Sequence, residues 1–66
     1  MTFKELHPGM LGLSNSRLGG FLLIISVTQI SGTIPRTRVA WLKNNEIFTQ
    51  VFSAGTDTEH YAIEIL

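Results

Sequence analysis

The chain has no cysteine, which excludes disulfides, thiolate-bound zinc, iron–sulfur clusters and thiol nucleophiles. Histidine is scarce too, with His7 and His60 far apart and no acidic cluster spaced to complete a metal site. Only 15% of residues are charged and the formal net charge is zero. No Lys/Arg run supplies a long-range field for nucleic acid or an anionic membrane. Long apolar runs are missing as well. The longest apolar stretch, Phe21-Leu22-Leu23-Ile24-Ile25, is about a quarter of the roughly 20 residues that span a bilayer. The opening MTFKELHPGM carries Glu5 and no apolar stretch of signal-peptide type. The expectation is a protein neither membrane-embedded nor secreted.

What the chain does have is 66 residues, enough for one domain over residues 1–66, of which 44% are hydrophobic. A chain so short buries only roughly 60% of its unfolded surface, so without staples it depends on its apolar core or on association. Turn chemistry recurs at regular intervals between β-rich segments, the pattern of a small barrel or sandwich. His7-Pro8-Gly9 reads as a turn and MLGLS as a first strand, followed by the loop NSRLGG. Residues 21–30 read as a long second strand, with Phe21, Leu23, Ile25 and Val27 on its core face. SGTIPRT is a loop. RTRVAWLK is a third strand with Val39 and Trp41 on one side and Ala40 and Leu42 on the other. Asn44-Asn45 suits a two-residue hairpin turn, because asparagine tolerates positive φ. EIFTQVF is a fourth strand, apolar on both sides. Either an assembly buries it, or the arm MTFKEL covers one of its phenylalanines. Asp57 or Thr58 is placed to cap one helical turn before a last strand in YAIEIL, with Ile63 and Ile65 on one face.

Five strands in this order, the last after a brief helical turn, resemble the SH3-like barrel, an all-β, partly open structure whose fifth strand follows a short 3₁₀ turn. HPGML, LGGFLLIISV, VAWL and IEIL together resemble, as a pattern, the small SH3-like proteins of tailed bacteriophages. The polar loop ISGTIPRT is longer than in many of those proteins, which bears on local geometry. The resemblance implies a virus-encoded accessory protein, in the virion or the host cytoplasm.

Catalytic motifs do not emerge. Ser53 or Ser31 with His60 and Asp57 makes a triad only on paper, since Asp57 and His60 fall in a turn and no nucleophile elbow is present. Glu59 and Glu64 are divided between turn and strand, and GLSNSRLGG lacks the Lys-Ser/Thr ending of a phosphate loop. The expectation is a non-enzymatic protein with no cofactor, metal or small-molecule substrate. SH3-like barrels bind extended peptides on aromatic grooves. The candidate partner-binding residues are therefore Trp41, Phe48, Phe52, Tyr61, Arg36 and Arg38, with Trp41 expected to serve more as a core anchor than as a ligand platform. The function expected is a structural or protein-interaction module that docks on another protein or self-associates. The alternative is a KOW-like nucleic-acid module built on Arg17, Arg36, Arg38 and Lys43 with Trp41 or Tyr61.

Overall fold

The computed structural model describes residues 1–15 and 19–66. Arg17 of the suggested cation patch lies outside them. Strands β1 (Leu11–Ser14), β2 (Gly20–Ile30), β3 (Arg36–Lys43), β4 (Glu46–Ser53) and β5 (Ile63–Ile65) form one antiparallel sheet in the order β4-β3-β2-β1-β5. Two 3₁₀ turns, Phe3–Glu5 and Thr58–Tyr61, complete it, the second directly before β5. This is the SH3-like barrel expected from the sequence, open between β4 and β5. No helix among the described residues is long and apolar enough to cross a membrane.

Local chemistry explains most of the element boundaries. Asn44 and Asn45 take φ of 52° and 63°, the left-handed pair that closes the two-residue β3–β4 hairpin. Gly9, at φ 93° after Pro8, turns the chain into β1. Asp57 caps the second 3₁₀ turn, its carboxylate accepting from the Glu59 N–H at 2.9 Å.

Residues directly opposite in register share a face of the sheet. Thr37, Val39 and Trp41 of β3 point inward, opposite Phe52, Gln50 and Phe48 of β4. Val39 and Trp41 share a face, as the sequence grouped them. For β2 the expected phase is corrected. Leu22 and Ile24 point into the core, whereas Phe21, Leu23 and Ile25 are exposed. A bulge between Ile24 and Ser26 then adds one residue, and the inward phase passes to Val27, which pairs with Val39 and packs on the core. Ile24 is 2% exposed and Ile25 41%. An all-apolar run carries no alternation from which to read its phase, and the bulge places residues of both parities inside.

The core comprises Phe3, Leu6, Leu22, Ile24, Val39, Trp41, Phe52 and Ile63. At roughly 1.5–3 kcal/mol for each large buried side chain, these residues carry the favourable side of folding. Two of them come from the N-terminal arm, which is sewn down at several points. Phe3 N–H donates to Thr56 O at 3.0 Å and Lys4 N–H to Ala54 O at 3.1 Å. Further along, Gln29 Nε2 donates to Lys4 O at 3.3 Å while its Oε1 accepts from the buried Thr37 hydroxyl at 2.8 Å. The Phe3 ring stacks on Phe52 with centroids 3.9 Å apart and planes 2° from parallel. Of the two explanations open for the two-sided strand, the covering arm accounts for Phe52.

Candidate functional site: an aromatic cleft on the inner face

Beside that stack the barrel opens into a cleft of about 300 Å³ lined by Ser14, Leu22, Trp41, Lys43, Phe48, Gln50, Phe52, Tyr61 and Ile63. Four of the six candidate residues, Trp41, Phe48, Phe52 and Tyr61, meet here. The alternation of β3 and β4 puts Trp41, Lys43, Phe48, Gln50 and Phe52 on one face, and the second 3₁₀ turn brings Tyr61 across. Tyr61 packs edge-on against Phe52 at 5.0 Å and against Phe3 at 5.7 Å, and Trp41 lies tilted at 5.8 Å from Phe52. Aromatic contacts of this kind hold rings in fixed orientations. Trp41 and Phe52 are core residues that form the floor; Phe48 and Tyr61 are exposed and form the walls.

Arg36 and Arg38 do not join the cleft. Both are exposed on β3 positions whose parity is opposite to that of Trp41, so they lie on the outer face beside Ile30, Thr28 and Val51. Lys43 lines the cleft on the inner side. Lys43 is thus on the opposite face from Arg36 and Arg38, and those two arginines are not interleaved with Trp41 or Tyr61.

Asp57 and His60 are employed structurally. One Asp57 oxygen accepts from Glu59 N–H, and the other pairs with the terminal amine of Met1 at 3.1 Å. The Glu59 N–H and then the amine hold the Asp57 carboxyl below its ordinary value. It meets His60 through the backbone, where the His60 N–H donates to Asp57 O at 3.1 Å. The Glu5 carboxylate accepts from the hydroxyl and N–H of Thr2, and the hydroxyl first, then the N–H, lower its pKa.

Sequence reasoning on aromatics alone passed over Gln50, Leu22, Ile63 and Ser14 as cleft residues. Gln50 was legible from its position between Phe48 and Phe52 on one face. The others come from strands whose approach depends on the fold. No family model, curated protein or solved structure matches the chain.

Proposed function

We propose that the protein is a non-enzymatic interaction module that grips an extended apolar or proline-bearing segment of another protein in the Trp41–Phe48–Phe52–Tyr61 cleft. The observation that carries this reading is the cleft itself: an open, ring-lined hollow with a buried floor and two exposed aromatic walls. Such sites bind by stacking flat rings on apolar side chains and on proline, which has little conformational entropy left to lose. The resemblance of its strand pattern to that of tailed-phage SH3-like proteins supports a virus-encoded accessory role, in the virion or the host cytoplasm. The nucleic-acid reading has less support, because Arg36 and Arg38 stand apart from the aromatics that would stack bases.

The test is capture of the tagged protein's partner from its native lysate with and without nuclease, beside a Phe48→Ser variant. A protein partner that survives nuclease and is lost with Phe48→Ser supports the cleft. Recovery that disappears with nuclease transfers the function to nucleic acid. Trp41, the only tryptophan, reports directly, since a segment seated on the cleft floor changes its emission.

A further inference from the structure

The free edge of β4 is unguarded. Sheet edges are ordinarily protected by lysine, proline, a bulge or shortness, because their unpaired N–H and C=O groups are templates for another strand. β4 has eight residues, no proline and no lysine, and its ladder to β3 runs without a register break from Glu46 to Ser53. Where the free edge ends is also visible. Ser53 O accepts from Thr56 N–H, and Ala54 O from Lys4 N–H, so the arm closes the edge beyond Phe52. Among the described residues, no other backbone hydrogen bond reaches the outer edge of Glu46–Phe52. The midpoint of that open stretch is Thr49.

We infer that β4 pairs antiparallel with β4 of a second copy across a two-fold axis at Thr49, joining two sheets into one. In this register Thr49 faces Thr49, and Ile47 faces the second copy's Val51 on the outer face, twice over. Ile47 is 68% exposed and Val51 46%, so both gain burial, and apolar and Thr–Thr cross-strand pairs are the favourable kinds. Charge permits the pairing. Glu46 is the only charged residue from Glu46 to Phe52, and six residues of offset keep the two copies' Glu46 roughly 20 Å apart. A seven-residue edge with three exposed apolar side chains buries on the order of 500 Å² per copy, the low end for specific association. An interface of this size belongs with weak, reversible contacts, so the dimer is expected to be concentration-dependent. On the inner face Phe48 comes opposite the second copy's Gln50. Both residues line the cleft, so the two clefts meet edge to edge and each gains a wall from the other copy. Only this last consequence rests on the proposed peptide-binding role.

The absence of native cysteine makes the test clean. Single variants Thr49→Cys and Ile47→Cys are oxidised at concentrations spanning the dimer range, beside sedimentation of the unmodified protein. The expected result is a concentration-dependent dimer and rapid disulfide formation by Thr49→Cys. Ile47→Cys lags, because its two copies lie roughly 14 Å apart in this register. Val51→Lys, at an exposed position, should leave the circular dichroism unchanged and abolish the dimer. A monomer at all concentrations, or a dimer that Ile47→Cys links faster than Thr49→Cys, overturns the inference. Cross-linking reads pairing without any peptide present, so failure of the cleft and failure of the dimer are distinguishable.

Discussion

Phe52 and Phe48 lie on the same strand and the same face, four residues apart, and they have opposite fates. Phe52 is 7% exposed, stacked by Phe3 and met edge-on by Tyr61; Phe48 is 43% exposed at the rim of the cleft. Intrinsic preference does not separate two phenylalanines in one strand. The separation comes from the N-terminal arm, which reaches the Phe52 end of β4 and stops there. One end of the strand belongs to the core and the other stays open at the rim of the cleft.

The largest way to break that contrast is to remove the inward phase on which both ends depend. Ile24→Asp places an unpaired charge in the core, costing several kcal/mol against a stability of about 5, and should yield an unfolded chain by circular dichroism. Ile25→Asp, one residue along at the exposed bulge, should remain folded. If both variants unfold, Ile25 is core and the bulge is misplaced. Next in size is Phe3→Ala. Deleting a fully buried phenylalanine costs about 3–5 kcal/mol, which should lower the urea midpoint severely and expose Phe52. Phe48→Ala should change it by less than about 1 kcal/mol. Equal losses at the two sites would erase the distinction between closed and open ends.

Much of the closed end was legible in the sequence. Spacing in RTRVAWLK grouped Val39 with Trp41 on one face, paired asparagines marked the hairpin, and Asp57 announced a cap. The β2 phase was not legible, since Phe21-Leu22-Leu23-Ile24-Ile25 offers an apolar residue at every step and the bulge exchanges parities midway. The cleft was legible as a set of aromatic residues but not as a place. Whether Arg36 and Arg38 accompany Trp41 depends on strand parity, which puts them on the other face. That Phe3 rather than another chain covers Phe52 depends on where the arm folds back, a long-range contact with no local signal.

Acid should act on the closed end more than on the open one. Glu5 and Asp57 both titrate below their ordinary values of 4.5 and 3.8 because the folded chain hydrogen-bonds their ionised forms. A group depressed on folding contributes stability that is fully present above its ordinary value and is lost as pH falls through its lowered one. Stability should therefore decline below about pH 4.5, and Glu5→Gln with Asp57→Asn should flatten that decline. Both groups are exposed, so the effect is expected to be modest and to shrink in salt. An unchanged acid profile in the double variant would mean that neither carboxylate helps to hold the arm.

The smallest effect tests the hinge between the closed end and β5. Ala62 ends the second 3₁₀ turn at φ 59° and ψ 36°, a left-handed conformation that its Cβ opposes by roughly 1–2 kcal/mol. Glycine relieves that strain but adds about 0.4–1 kcal/mol of unfolded-state entropy, so Ala62→Gly should stabilise by about 0.5 kcal/mol. In a domain of this size that corresponds to a rise in melting temperature of about 2–4 °C. Ala62 is exposed, so no core burial is lost, and its N–H still donates to Glu59 O at 2.9 Å. The gain should appear in thermal unfolding with no change in Trp41 emission, because the substitution relieves backbone strain after Tyr61 without touching Phe48. A fall in melting temperature would show that the left-handed residue is held by contacts of its methyl group. A change in Trp41 response would show that Tyr61 is set by this turn and that the two ends of the barrel are mechanically joined.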